Sequence, residues 1–106
     1  MNIINKYIIP NGFVAITIFP FVFYKDKKYI TVHRNIHEKI HLRQQVEMLI
    51  IPFFTWYLIE YLIRLIQYRN SRIAYRNISF EKESYNNETD LGYLKRRELY
   101  SWIKYL

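Results

Sequence analysis

Asn35-Ile36-His37-Glu38-Lys39-Ile40-His41 is the stretch on which the fold turns. Asn35 has a side chain suited to a helix N-cap, and Glu38, three residues on, completes a capping-box-like pair. The pattern predicts a helix from Asn35 to about Ile50, with Ile36, Ile40, Val46 and Leu49 supplying much of its apolar face. Pro52 then breaks or kinks it, because an interior proline removes a helical hydrogen bond and clashes with the preceding turn. A second helix is expected from about Phe53 to Tyr68.

Towards the N-terminus the pattern changes. Phe13-Val14-Ala15-Ile16-Thr17-Ile18-Phe19 is β-branched and aromatic, Pro20 marks an edge or bulge, and Phe21-Val22-Phe23-Tyr24 continues the strand signal. Lys25-Asp26-Lys27-Lys28 reads as a turn and Tyr29-Ile30-Thr31-Val32 as a returning strand. Towards the C-terminus, Arg69-Asn70-Ser71-Arg72 reads as a loop. Ser79 suits the cap of a third helix starting near Phe80, Asn86-Asn87 interrupts it, and Asp90 suits the start of a last helix reaching Leu106. The expected fold is a single α+β domain over residues 1–106. A small antiparallel hairpin or sheet in 1–34 precedes a mainly helical bundle in 35–106.

Residues i and i+4 of a helix share a face, so His37 and His41 can reach one metal ion. Glu38 sits beside them, about 100° round the helix, where a carboxylate can accept a proton from a metal-bound water. The chain contains no Cys, so a zinc ion must take His and carboxylate ligands. Zinc lowers the pKa of its water to about 7, and the chemistry implied is hydrolysis of a peptide bond with Glu38 as general base.

A catalytic zinc takes three protein ligands and keeps one position open. His33, the remaining histidine, precedes the expected N-cap and falls off the helix. The third ligand is therefore expected to be a carboxylate. Glu60 comes level with His41 if the chain folds back at Pro52, but it has Arg64 as an i,i+4 partner. Glu81 and Glu83 open the third helix, and Glu81 shares a face with Tyr85.

His37-Glu38-Lys39-Ile40-His41 followed by Phe80-Glu81-Lys82-Glu83-Ser84-Tyr85 resembles the gluzincin metallopeptidases, and more closely short bacterial H-E-x-x-H proteins with an F-E-R-E-A-Y-like second motif. In gluzincins that second motif often reads E-x-x-A-D. The resemblance implies Glu81 as third zinc ligand, with Ser84 at the Ala place and Tyr85 at the Asp place. That Asp orients a ligand His, a task Tyr85 performs only in part. The resemblance covers roughly residues 30–90. It further implies an edge strand beside the motif helix to receive an extended substrate, and an oxyanion-stabilising side chain, for which Tyr75, Tyr85 and Arg97 are available.

Hydrophobic residues make up 51% and aromatics 19% of the chain, which excludes a disordered class. The formal charge is +7, read as a solvated basic surface, since no helix-turn-helix, RNP-type motif or Gly-rich loop supports nucleic-acid binding. Residues 46–66 are almost wholly apolar, and Glu60 and Arg64 in that segment disfavour a membrane span. A buried helix or peripheral membrane contact is expected instead. Without an evident signal peptide, the expected location is cytoplasmic and membrane-associated. The expected partner is a peptide or protein substrate. The alternative is a non-catalytic or latent binding or scaffold protein that keeps zinc as a staple.

Overall fold

In the computed structural model, which describes residues 2–106, a three-stranded sheet is followed by five α-helices among the described residues, an α+β fold. The strands are β1 (Asn2–Ile4), β2 (Ala15–Ile18) and β3 (Phe21–Tyr24), in the order β1-β3-β2. β2 and β3 form the expected antiparallel hairpin, with Phe19-Pro20 at its turn and Ile16 opposite Phe23. The sheet as a whole is mixed rather than antiparallel, because β1 pairs parallel with β3, Ile3 opposite Phe23.

Tyr29–Val32 is not a returning strand. The Asp26 side chain accepts from Lys28 N at 3.2 Å and turns the chain into a short 3₁₀ segment, Lys27–Tyr29. Thr31 then caps the first helix, α1 (Val32–Met48), its hydroxyl accepting from Arg34 N at 3.1 Å. Asn35 therefore lies in the first turn instead of at the cap, and the boundary between β and helical regions falls earlier than residue 35. The face of α1 also differs from expectation. Ile36 and Ile40 are buried, but Val46 and Leu49 are exposed, and His37, Glu38, His41, Gln44 and Gln45 fill the inward side.

The break after α1 sits at Leu49, whose backbone adopts φ 60°, ψ 152°, and not at Pro52. Pro52 falls in the first turn of α2 (Ile50–Tyr68), where the missing N–H costs nothing. The polar stretch after α2 is not all loop. Asn70 caps α3 (Ser71–Arg76) by accepting from Arg72 N and Ile73 N. Ser79 is the first residue of α4 (Ser79–Asn87) and not its cap. In place of a last long helix there is one turn, α5 (Tyr93–Arg96), and a 3₁₀ segment, Ser101–Tyr105. Phe53, Ile78, Phe80 and Trp102 form the core between α2, α4 and the C-terminal segment. Trp56 is exposed, its ring centroid 6.2 Å from that of Trp102.

Glu60 fixes how α2 meets α4. Its buried carboxylate accepts from Ser79 N at 3.3 Å and from Ser79 Oγ, placing a negative charge at an N-terminus that has no side-chain cap of its own. Arg64, its expected partner, donates instead to Gln67 at 2.9 Å.

Candidate metal centre

One face of α1 and the first turns of α4 meet at the H-E-x-x-H stretch. His37 Nε2, His41 Nε2 and Glu81 Oε1 stand at the corners of a triangle with every side 3.2 Å. All three residues are buried. Tetrahedral ligands at 2.0–2.1 Å from a zinc ion lie about 3.3 Å from one another. The triangle matches that spacing, and two imidazole nitrogens with one carboxylate oxygen are the donors zinc takes. The residues therefore fit the ion. Of the carboxylates weighed from sequence, Glu81 reaches the histidines. Glu60 is committed to Ser79, and Glu83 is held elsewhere.

The site also carries the electrostatics of a cation site. Burial alone would lower the His41 pKa, but the Glu81 carboxylate beside it, by charge and hydrogen bond, pushes it up to about 9. Reciprocally, although burial raises the pKa of a carboxyl, His41 and His37 hold Glu81 far below the ordinary carboxylate range. His41 thus carries a proton where a metal ion would bring its own positive charge.

His41 and Glu81 are fixed from behind by hydrogen bonds. Gln44, one turn after His41, gives its amide N–H groups to the Phe80 carbonyl (3.1 Å) and Glu83 Oε1 (2.9 Å). Its oxygen must therefore face His41 Nδ1, 2.8 Å away, which makes that nitrogen the donor and leaves Nε2 for a metal. Glu83 is itself held by Tyr93 (2.6 Å) and Arg97, and Arg97 reaches on to Glu47 at 2.8 and 3.0 Å. Arg97, available from sequence as an oxyanion stabiliser, is spent in this buried network. Glu81 uses Oε1 toward the histidines and accepts the Tyr57 hydroxyl on Oε2 at 2.7 Å.

Behind His37 the arrangement departs from the resemblance. Tyr85, at the Asp place, stacks its ring edge-on to His37, with centroids 4.4 Å apart, and carries the Arg76 guanidinium on its own face at 3.7 Å. The carboxylate near His37 Nδ1 is that of Glu88, 3.6 Å away, one turn further along. Burial works against the Glu88 charge, but His37, Arg34 and Arg76 hold its carboxyl below the ordinary range. Ser84 donates to the His37 carbonyl at 3.2 Å, tying α4 to α1.

Glu38 faces the same space. Its Oε2 lies 3.8 Å from His37 Nε2 and accepts from Arg34 at 3.3 Å, while Oε1 accepts from Thr17 Oγ1 at 2.8 Å. A cleft of about 240 Å³ opens there, bordered by Ala15 and Thr17 of β2, by Glu38, His41 and Glu81, and by Phe54 of α2. β2 is an edge strand. Val14 turns its carbonyl towards β3, accepting from Lys25 N at 2.9 Å, so Ala15 and Thr17 turn their backbone groups outward. Gln45 grips that edge, donating to the Thr17 carbonyl at 2.7 Å and accepting from Phe19 N at 2.6 Å.

Gln44, Gln45, Glu88, Tyr57 and Thr17 are neighbours of the candidate site that sequence reasoning missed. One signal was available for the glutamines: two polar residues three and four positions after His41, on the face expected to be apolar. Comparisons of the chain with protein-family models, curated proteins and solved structures returned no match.

Proposed function

We propose that this chain is a gluzincin-like zinc metallopeptidase that hydrolyses peptide bonds. The observation that carries the reading is the equal-sided buried triangle of His37, His41 and Glu81 with the Glu38 carboxylate beside it. Bound there, zinc supplies Lewis acidity and a water whose pKa falls to about 7. Glu38 Oε2 would hold a proton on its way to the leaving amine, and Thr17 and Arg34 keep its carboxylate from turning away. An extended substrate pairs with the outward backbone groups of Ala15 on β2, which sets its scissile bond across the cleft.

Tyr75 is the side chain best placed to donate to the substrate carbonyl oxygen. It lines the cleft, and the Tyr85 hydroxyl is 3.5 Å away with Tyr75 as acceptor, which leaves the Tyr75 proton to donate. Burial and then the charge of Glu81 keep that phenol protonated. Tyr57 is already bonded to Glu81 and Tyr85 is stacked on His37.

The test is hydrolysis of an unstructured polypeptide by zinc-loaded protein, followed by mass spectrometry. Glu38→Gln should slow it by about 10²–10⁴-fold and leave the zinc content at one per chain. Equal hydrolysis by the two proteins, or none by either, refutes the peptidase reading. One contact favours a second reading, a latent form. Phe13 reaches across the mouth of the cleft to Tyr75, edge to face, with centroids 5.5 Å apart. On that reading Phe13→Ala raises the hydrolysis rate and leaves its dependence on Glu38 intact.

A further inference from the structure

The packed side of α2 carries Phe53 together with buried polar groups, Glu60 on Ser79 and Tyr57 on Glu81. Its outward side carries hydrocarbon, including Ile51 (79% exposed), Leu58, Ile59, Leu62, Ile63 and Ile66 (78% exposed). A helix on the surface of a water-soluble protein has the opposite polarity, and a solvent-facing apolar surface of this extent marks an interaction site. A polar side chain on the outward side, Thr55, is satisfied within the helix: its Oγ1 donates back to the Ile51 carbonyl at 3.0 Å. That arrangement suits a medium that offers no hydrogen bonds. Only 11% of the most apolar window of α2 is buried, so the helix is not a core helix.

We infer that the outward face of α2 rests on an anionic lipid bilayer, with the helix lying along its surface. Charge selects lipid over a second copy of the chain. The protein carries +7, and Arg69 and Arg72 stand exposed directly after α2, so a second copy repels where anionic headgroups attract. The surface orientation follows from what α2 holds. Tyr57 and Glu60, near its midpoint, are bonded to Glu81 and Ser79, so a spanning helix would drag Glu38, Glu81 and Arg34 into hydrocarbon. Lying flat, α2 immerses its apolar side and leaves the metal centre above the headgroups. Trp56, exposed beside Ile63, borders the immersed arc as an amphipathic ring does at a lipid boundary.

Vesicle co-sedimentation tests this, using phosphatidylcholine vesicles with and without phosphatidylglycerol. The protein should bind the anionic vesicles more tightly. Brominated acyl chains should quench its fluorescence, and Trp56→Phe should abolish most of that quenching. The double variant Leu62→Glu, Ile66→Glu changes two exposed side chains and should lower vesicle affinity about a hundredfold while the fold and zinc content are kept. His41→Ala, which removes a metal ligand, should leave vesicle binding unchanged, so a failed zinc reading and a failed lipid reading give different results. The inference is overturned by absence of vesicle binding, by binding that the double variant does not weaken, or by a lipid-free dimer that the double variant separates.

Discussion

Replacing Gln44 with Met keeps the bulk of the side chain and removes three hydrogen bonds: to His41 Nδ1, the Phe80 carbonyl and Glu83. Two consequences differ in size. Glu83 retains Tyr93 and Arg97, so its buried charge stays compensated. His41 loses the acceptor that holds its Nδ1 proton and thereby directs Nε2 at the triangle. Outer partners of this kind are worth about 10–100-fold in metal affinity, or about 1.4–2.7 kcal/mol. Competition between the protein and a chromophoric chelator for zinc at pH 7 measures the change, with circular dichroism and urea unfolding of the metal-free variant to verify the fold. Gln45→Met is the control. Gln45 grips β2 through its own hydrogen bonds to Thr17 and Phe19, so its loss should weaken the sheet's attachment and leave zinc affinity within about twofold of the original. A folded Gln44→Met protein whose zinc affinity is unchanged, or a Gln45→Met protein that loses as much, refutes the assignment of His41's orientation to Gln44.

Arg97→Met leaves Glu47 and Glu83 buried without their counter-ion and should cost about 3–5 kcal/mol in urea unfolding of the metal-free protein. Zinc binding at pH 7 must displace the proton that Glu81 keeps on His41, whose pKa is pushed up to about 9. Calorimetry in buffers of different ionisation enthalpy should therefore report release of close to one proton at pH 7 and much less at pH 10. The same shift sets a stability trend. The folded pKa lies above the ~6.5 of an unfolded chain, so the metal-free protein has this contribution in full below pH 6.5 and loses it as pH rises through about 9; its Tm should fall across that window. Leu49→Gly relieves a backbone at φ 60°, ψ 152° that disfavours any side chain, and Leu49 is exposed, so chemical unfolding should show a gain of about 1 kcal/mol.

What was legible in the sequence was what is local. His37 and His41 share a face because the helical period dictates it, and the hairpin of Phe21–Tyr24 with Ala15–Ile18 follows from β-branched runs on either side of a turn. The choice of Glu81 over Glu60 needed more. It depended on Glu60 being drawn to Ser79, a contact between helices that no local pattern records. The start of α1 was misread because Thr31 and Asn35 are both competent caps, and the 3₁₀ turn set by Asp26 decided for the earlier one. β1 escaped because a parallel pairing across about 20 residues leaves no alternation or turn signal. Glu88, the carboxylate that comes nearest His37 Nδ1, escaped because the resemblance directed attention to Tyr85, one helical turn earlier.

The distance along the chain between His37 and Glu81 has a consequence of its own. These residues are 44 positions apart in sequence and 3.2 Å apart in space. An ion bound to both would be a cross-link, doing for the unfolded form of this cysteine-free chain what a disulfide does elsewhere. By the loop-entropy estimate, tying a loop of that length is worth about 4 kcal/mol. That is a large share of the ~5–15 kcal/mol by which a domain of this kind is stable. The metal would then govern how long the chain survives as a folded molecule. Chelation should open the α1–α4 seam before it disturbs the β2–β3 hairpin, a sequence of events that hydrogen exchange can time.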